Sequence, residues 1–184
     1  MPDHLTEQSN AEQFPGDPGH TGNPLLRPAT DADTDLLKAL YRSTRTDVAL
    51  FGWDESAVSA FVEMQFEMQK RSYEIQHPGA ENSILVYEDR DVGRLLVDRS
   101  GSSIVLIDII IAPEFRGRGL GTSVLSWLKS EAASKNIPIE LHVDVTNTKA
   151  AQLYEREGFM ELGDGTGFRR HLRWEADHAE RRKS

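Results

Sequence analysis

Residues 104–121 are IVLIDIIIAPEFRGRGLG, an apolar run followed by a turn with Pro113 and then a glycine-rich segment. The run contains many β-branched residues and therefore predicts a buried strand. Glycine lacks a Cβ, so closely spaced glycines allow several backbone N–H groups to converge on one point. A helix is predicted to begin at Leu120, and its first turn adds unpaired N–H donors and the positive end of a dipole. The segment therefore predicts a phosphate-binding site.

Two common phosphate-binding loops do not fit the spacing of these glycines. A nucleoside-triphosphate loop requires a lysine followed by Ser or Thr after its last glycine, and no lysine follows Gly121. The dinucleotide fingerprint requires G-x-G-x-x-G, whereas Gly117, Gly119 and Gly121 give G-x-G-x-G. A third pattern, Arg/Gln-x-x-Gly-x-Gly/Ala, is matched at each fixed position by residues 116–121.

A second motif follows an alternating strand and spans residues 147–159, NTKAAQLYEREGF. Asn147 is a favourable N-cap, and Gly158 stands where a glycine commonly ends a helix. With the loop at 116–121, this segment resembles the GCN5-related N-acetyltransferase (GNAT) superfamily, in which it has the form N-x-x-A-x-x-x-Y-x-x-x-G-F. The resemblance covers about residues 25–174 and is densest over 92–159.

The resemblance implies a fold of the α/β (α+β) class, with a central mixed, mostly antiparallel sheet of about six or seven strands and about four helices. Hydrophobic patterning predicts the same elements. Strands are expected near 25–29, 83–88, 92–97, 104–111, 139–143, 159–162 and 168–174, and helices near 30–41, 55–73, 120–134 and 147–158. The apolar stripe of the second helix is predicted to contain Val58, Phe61, Val62, Met64, Phe66 and Met68.

Length and composition indicate one domain. The chain has 184 residues, and we expect the acetyltransferase domain to occupy 24–174. Residues 1–23 contain acidic residues, prolines and glycines but no Lys or Arg, which predicts a disordered lead. Residues 175–184 form a charged tail. The absence of cysteine excludes disulfides, a cysteine nucleophile and cysteine-ligated metals.

The charge pattern bears on partners. A formal net charge of −9 disfavours nucleic acid and mildly favours cationic substrates. No apolar run approaches the length of a membrane span, and no signal peptide pattern is visible, so we expect a cytoplasmic protein without a membrane partner. The six histidines lack metal-ligand spacing, so no metal is expected. By analogy with the superfamily, a homodimer is one option.

Acetyl transfer from a thioester to an amine requires a base for the amine, a donor for the oxyanion and an acid for the departing thiolate. The resemblance implies direct attack in a ternary complex and places Tyr154 near the cofactor sulfur as the acid. Taken without the motif, a tyrosine at helical spacing is more typical of a core residue. Tyr154 is therefore the first candidate catalytic residue.

Asp108 is the second candidate catalytic residue, because it interrupts the apolar strand. Period-two alternation places it beside Ile110, on the face opposite Ile107, Ile109 and Ile111. A carboxylate among isoleucines loses hydration, which raises its pKa and makes it a better base near neutrality. The hypothesis is that Asp108 is the general base; the alternative is a salt bridge, for example with Arg94.

The resemblance implies acetyl-CoA as the cosubstrate, with the backbone of Ile110, Ile111 and Ala112 meeting pantetheine and the N–H groups from Gly117 to Thr122 holding the pyrophosphate. Arg116 and Arg118 either add charge near the phosphates or are solvated surface residues. Asn147 either contacts pantetheine or only caps its helix. The expected cofactor-binding residues are Ile110, Ile111, Ala112, Arg116, Gly117, Arg118, Gly119, Leu120, Gly121, Thr122 and Asn147.

The acceptor is expected to be a small-molecule primary amine, with a protein amine as the alternative. A non-catalytic acetyl-CoA-binding regulatory module is a different class of function that the sequence leaves open. Gln65, Gln69 and Tyr73 recur along one helix face and either line an acceptor pocket or form a solvated stripe.

Overall fold

The computed structural model describes residues 12–13, 24–45, 47–48 and 52–176. Their strands are β1 Glu12–Gln13, β2 Leu25–Pro28, β3 Ala80–Tyr87, β4 Arg90–Asp98, β5 Ile104–Ile111, β6 Ile139–Asp144, β7 Met160–Glu161 and β8 Arg169–Trp174. The helices are α1 Thr34–Arg42, α2 Glu55–Gln76, α3 Leu120–Lys135 and α4 Thr148–Arg156. The strands form one sheet in the order β1-β2-β3-β4-β5-β6-β8-β7. Every neighbouring pair is antiparallel except β5 with β6, and the predicted fold is confirmed.

The strand β1 is the one element of the described residues that the sequence pattern did not predict. It pairs with Leu25 and Leu26 of β2. The disorder expected for residues 1–23 otherwise falls outside the described residues, as does the charged tail beyond residue 176.

The two faces of the sheet are covered by different helices. The main core lies on the face covered by α3 and α4, called here the α3/α4 face, and its fully buried side chains include Leu125, Leu128 and Leu141. On the other face, called the α1/α2 face, α1 packs against β4 and β5, and the end of α2 reaches β4 through His77, whose Nδ1 lies 3.2 Å from Oδ2 of Asp98. No helix among the described residues combines the length and the apolar character needed to cross a bilayer.

The predicted apolar stripe of α2 is wrong in part. Val62 and Phe66 are buried in a small cluster with Tyr41 of α1, whereas Met64 and Met68 are 51% and 64% exposed. Residues four apart share a helix face, while a residue two positions away lies on the opposite side. Both methionines are two positions from Phe66, so they face outward when Phe66 faces inward.

The start of α1 is held by a buried carboxylate. Oδ1 and Oδ2 of Asp33 accept hydrogen bonds of 2.7 and 2.9 Å from the Arg27 guanidinium. Oδ2 also accepts one of 2.7 Å from the backbone N–H of Thr30. These bonds, first those from Arg27, hold the pKa of Asp33 well below its ordinary range. They connect α1 to the edge strand β2.

Candidate active site

A β-bulge in β5 decides which face of the sheet Asp108 occupies. The register between β4 and β5 shifts between Leu106 and Asp108, so Ile107 is an extra residue without an opposite partner. A bulge of one residue reverses the alternation of the side chains that follow it. Leu106 accordingly belongs to the core of the α3/α4 face, while Asp108 pairs with Arg94 on the α1/α2 face.

Beyond the bulge, the side chains of β5 alternate as predicted. Ile109 and Ile111 pack against the core of the α3/α4 face. Ile110 lies opposite Arg94 in the register, and Arg94 contacts Asp108. The predicted placement of Asp108 beside Ile110 is confirmed. Without the bulge, uninterrupted alternation would have placed Asp108 on the same face as Leu106, among the core side chains.

At the same point β5 separates from β6. The two parallel strands pair only over Ile104–Leu106 and Ile139–Leu141. From Ile107 onward, β5 has no strand partner on that side among the described residues. The strands therefore diverge and leave a gap toward their C-terminal ends, and an unpaired strand edge is a surface to which an extended ligand can hydrogen-bond.

Two residues of β5 direct their backbone groups into this gap. The N–H of Ala112 donates to the carbonyl of Val92 at 2.8 Å. Because residues of an antiparallel pair alternate between bonded and non-bonded positions, Ile110 also faces β4, while Ile109 and Ile111 face the gap. Of the three residues expected to meet pantetheine, Ile111 is the one whose backbone points into the gap, and Ile109 was missed.

The glycine-rich loop between β5 and α3 has the backbone that an anion site requires. Gly117 and Gly119 have φ of +76° and +81°, a region that favours glycine. A Cβ on Gly117 would meet nothing within 4 Å, so the space beside the loop is open. The first intrahelical bond of α3 runs from the N–H of Ser123 to the carbonyl of Gly119. The N–H groups of residues 120–122 have no intrahelical partner, and this donor set fits the pyrophosphate predicted from the sequence.

The two arginines of the loop both have partners in the protein. Nε of Arg116 donates to the carbonyl of Ile111 at 2.8 Å, and its Nη2 donates to Oγ of Ser43 at 3.3 Å. The guanidinium of Arg118 lies 5.1 Å from the centre of the Phe115 ring, a cation–π distance. Arg116 thereby joins the loop to the end of β5 and to α1. A direct contact of either arginine with phosphate stays a prediction.

The second motif forms α4 beside the gap. Oδ1 of Asn147 accepts from the N–H of Ala150 at 3.2 Å, so the capping role is present, and a contact with pantetheine stays a prediction. Tyr154 is 7% exposed, and its ring lies 5.7 Å from that of Phe159. Burial, and secondly the charge of Asp108, raise the pKa of Tyr154. Tyr154 belongs to the α3/α4 face, so the charge of Asp108 acts on it from the opposite face of the sheet.

Asp108 both forms a salt bridge with Arg94 and has the raised pKa expected of a general base, the two possibilities that the sequence left open. Its Oδ2 lies 3.3 Å from Nη1 of Arg94, whose Nε donates to Asn82 at 2.9 Å. The side chains of Arg94 and Asp108 are 8% and 20% exposed. Burial nevertheless raises the pKa of Asp108, because it outweighs the lowering effects of the charge of Arg94, the hydrogen bond from the Ile109 N–H and the charge of Arg169. The carboxylate is thus ion-paired and still easier to protonate than an ordinary aspartate.

Several polar residues surround Asp108 on the α1/α2 face. Burial, followed by the charge of Asp108, raises the pKa of Tyr73 near the end of α2, and the charge of Arg169 at the start of β8 acts in the opposite direction. His142 of β6 stacks on His171 of β8 with ring centres 4.3 Å apart. Burial, and then the charge of His171, lower the pKa of His142. These polar residues lie on the same face of the sheet as Asp108.

The glutamine stripe of α2 faces the protein rather than bulk water. Gln65, Gln69 and Tyr73 are all half-buried, and Oε1 of Gln65 accepts a hydrogen bond from Arg45. This burial favours the pocket interpretation of the stripe over a solvated one, most directly for Tyr73.

The arrangement can be compared with a known family. The model of the acetyltransferase (GNAT) family matches residues 41–159, a segment that contains both motifs and most of the gap. The chain belongs to the acetyltransferase (GNAT) family. The resemblance read from the two motifs is therefore confirmed, and the chain is an acetyl-CoA-dependent N-acetyltransferase.

Solved GNAT structures share the fold. An N-acetyltransferase, PaiA, from Thermoplasma acidophilum, solved with coenzyme A, is 14% identical with a TM-score of 0.63, covering 83% of this chain and 98% of that chain. A Corynebacterium glutamicum structure described as a histone acetyltransferase and related acetyltransferase is 24% identical, with a TM-score of 0.58 and coverage of 82% and 94%. The spermidine/spermine N-acetyltransferase SpeG from Vibrio cholerae is 21% identical, with a TM-score of 0.57 and coverage of 88% and 98%. At these identities the likeness establishes the fold alone.

Sequence reasoning missed Ile109 and Arg169. The direction of the Ile109 backbone depends on the register of β4 against β5, which no local pattern encodes. Arg169 joins the site because β8 pairs with β6 so that Arg169 lies opposite Asp144. An arginine in a loop-to-strand segment carries no signal of that pairing.

Proposed function

We propose that this GNAT enzyme transfers the acetyl group of acetyl-CoA to a primary amine of a small molecule by direct attack within a ternary complex. The observation that supports this most strongly is the position of Asp108 and Tyr154. They come from opposite faces of the sheet, and the charge of Asp108 acts on Tyr154 beside the gap between β5 and β6. A base and an acid on two sides of one gap match the two proton transfers of the reaction.

The chain's own backbone would hold the cosubstrate. Bound acetyl-CoA supplies an acetyl group whose carbonyl carbon is open to attack by an amine. The N–H of Ile109 bonds the carboxylate of Asp108, and the carbonyl of Ile111 accepts from Arg116. In this proposal the carbonyl of Ile109 and the N–H of Ile111, which face the gap, hydrogen-bond the pantetheine arm, and the N–H groups from Gly117 to Thr122 bind the pyrophosphate. Holding both substrates side by side removes the need for a covalent enzyme intermediate.

Asp108 accepts the proton of the amine. A primary amine has a pKa near 10.4, so it arrives mostly as ammonium and must lose a proton before its lone pair can attack. The raised pKa of Asp108 makes it a stronger base than a solvated carboxylate. The ammonium loses its first proton to solvent, and the amine nitrogen then bonds to the carbonyl carbon of the thioester. As the resulting tetrahedral adduct expels the thiolate and the C–S bond breaks, the second nitrogen proton passes to Asp108, directly or through water.

Tyr154 supplies a proton to the departing sulfur. Its raised pKa keeps the hydroxyl protonated at neutral pH. A raised pKa also makes it a weak acid, but one of its two causes is the negative charge of Asp108. When Asp108 takes the amine proton, that charge disappears and Tyr154 becomes more acidic at the moment when the thiolate leaves. The two residues thus act in sequence.

A thiol-release assay with an amine panel tests the proposal. We expect turnover with wild-type protein, a loss of about 10²-fold or more in kcat/KM for Asp108→Asn, and a loss mainly in kcat for Tyr154→Phe. Asp89→Asn is a matched control, since Asp89 is exposed in the β3–β4 turn with φ of 57°, which asparagine tolerates. Its rate should equal that of wild type.

Three outcomes would count against the proposal. Tight acetyl-CoA binding without turnover of any amine would favour a regulatory module. Turnover of peptide amines alone would favour a protein acceptor. Unchanged turnover in Asp108→Asn at every pH would remove that residue as the base.

A further inference from the structure

Arg169 stands out on the acceptor side of the gap because no carboxylate pairs with it. Within the described ranges, no Asp or Glu oxygen lies within 4.0 Å of its guanidinium. Its neighbours on β8 are paired: Arg170 contacts Glu155 and Glu161 at 2.8 and 2.9 Å, and Arg173 contacts Glu175 at 2.9 Å. One cation of this strand thus has no carboxylate in ion-pair contact within the described ranges, although its charge acts on Asp108 and Asp144.

The nearest acidic residue in the register is occupied elsewhere. Asp144 lies directly opposite Arg169, but its Oδ1 accepts hydrogen bonds from the N–H and Oγ of Thr146 at 2.8 and 2.6 Å. The side chain therefore folds back onto its own turn. It leaves the guanidinium of Arg169 available to an external anion.

Arg169 is exposed, and its register decides which face of the sheet it occupies. Residues opposite each other in an antiparallel pair share a face, so Arg169 lies on the same face as Asp144, and His142 lies there with His171. This is the α1/α2 face, where Asp108 pairs with Arg94. Tyr73 of α2 lies near it, because the charge of Arg169 acts on the pKa of the Tyr73 hydroxyl against the raising effect of burial.

We propose that the acceptor carries a carboxylate as well as its amine, and that Arg169 binds this carboxylate while Asp108 faces the amine. The inference rests on the proposed function and names its substrate class. A planar guanidinium binds a carboxylate through two parallel hydrogen bonds. A second ammonium at the same place, as in a diamine or polyamine, meets an unpaired positive charge and is disfavoured.

The spacing of the strands limits the length of the acceptor. Asp108 is on β5 and Arg169 on β8, with β6 between them. Neighbouring strands lie about 4.8 Å apart, so the backbones of β5 and β8, two strand spacings from each other, are about 10 Å apart where the strands are paired. Both side chains extend into that interval, and the remaining distance fits an α-amino acid or a short ω-amino acid. The local charge here opposes the general preference for cations expected from the net charge of −9.

Matched acceptor pairs test the inference. Each α-amino acid is compared with its own carboxamide, and each short ω-amino acid with the diamine of equal length, by thiol release at saturating acetyl-CoA. We expect kcat/KM of wild type to be at least about tenfold higher for the carboxylate member. Guanidinium–carboxylate bonds of this kind typically account for one or more decades in affinity.

Variants assign the preference to the residue. Arg169→Gln should raise KM for the carboxylate member at least about tenfold and leave KM for the amide or diamine within about twofold. Arg169→Lys should raise KM for the carboxylate member less than Arg169→Gln does, since lysine keeps the positive charge but lacks the two parallel N–H donors of a guanidinium. Arg170→Gln is the matched control, because it removes the same charge from the adjacent residue, which is bound to glutamates. Its KM values should stay at the wild-type level.

Different failures have different consequences. Equal or better use of amides and diamines by wild type would overturn the carboxylate inference, and this comparison requires no variant to fold. An equal rise in KM for both members of a pair in Arg169→Gln would overturn the role of Arg169. If diamines are acetylated and the reaction still requires Asp108, the proposed function stands and only this inference falls. Absence of turnover with every amine overturns both.

Discussion

Replacing Arg94 with glutamine separates a catalytic carboxylate from a structural salt bridge. Nη1 of Arg94 lies 3.3 Å from Oδ2 of Asp108, and Nε donates to Asn82 at 2.9 Å. Glutamine keeps polar hydrogen-bonding atoms on β4 but removes the positive charge. If Asp108 is the base, the change alters the pH at which the enzyme works. If Asp108 only holds Arg94, the change alters stability alone.

The magnitude follows from the distance. At an effective dielectric constant of about 20, unit charges 3.3 Å apart attract by about 5 kcal/mol, which is an upper bound. Because about 1.4 kcal/mol corresponds to one pKa unit, even a quarter of that attraction changes the pKa by about one unit. Arg94 lowers the pKa of Asp108 against the raising effect of burial, so its removal raises the pKa further. A base is active when ionised, and activity is lost as the pH falls through its pKa. The acid limb should therefore move to higher pH by about one unit or more.

The assay is kcat/KM for one amine as a function of pH, with wild type, Arg94→Gln and Asp108→Asn. The ionisation of the amine is common to all three proteins, so a difference between their acid limbs belongs to the enzyme. Arg71→Gln serves as a charge-matched control on the exposed side of α2, and circular dichroism confirms folding. An acid limb that stays in place or moves to lower pH in Arg94→Gln would refute the assignment of Asp108 as the base.

Two further predictions concern the loop and the stability of the fold. Gly119→Val should lower acetyl-CoA affinity in calorimetry by about tenfold or more, since Gly119 has φ of +81° and a left-handed conformation costs an L-residue about 1–2 kcal/mol. Gly163→Val is the control, because Gly163 has φ of +78° outside the loop, and this variant should bind acetyl-CoA normally. Equal affinities of the two variants would contradict pyrophosphate binding by the glycine-rich loop. Asp33→Asn should lower the free energy of unfolding by about 2 kcal/mol near neutral pH in urea titrations, because bonds to a charged partner are lost, whereas exposed Asp35→Asn should have little effect. The stabilisation by Asp33 is present above its unfolded pKa of about 3.9 and is lost as the pH falls toward its lower folded pKa. If wild type and Asp33→Asn still differed in the free energy of unfolding in strong acid, the stabilisation would not come from the ionised carboxylate.

The parts of the fold that the sequence predicts are those fixed by local chemistry. The run from Ile104 to Ile111 forms a strand with the predicted bounds, and α3 begins at the predicted Leu120 because Gly119 adopts a conformation that favours glycine. Asn147 caps α4 through its own side chain. Each of these outcomes depends on neighbours within a few residues, so a pattern in the chain is sufficient to foresee it.

The parts of the site that the sequence does not predict depend on pairing between distant strands. Ile107 lies within a uniform apolar run, and nothing in that run distinguishes the residue that becomes the bulge. Arg169 reaches the acceptor side only through the register of β8 against β6. The exposure of Met64 in α2 likewise depends on which side of the helix meets α1. Several registers satisfy the same hydrophobic pattern, and tertiary packing selects one of them.

The bulge explains why one short segment can serve both substrates. The extra residue, Ile107, turns Asp108 away from the core that contains Leu106 and toward the α1/α2 face, where the acceptor is expected. The same shift keeps Ile109 and Ile111 packed on the core face while their backbone groups point into the gap. Pairing with β6 also stops at Leu106. A regular strand would place the carboxylate on the face of the core side chains, so the position that the proposed mechanism requires of Asp108 depends on one irregularity.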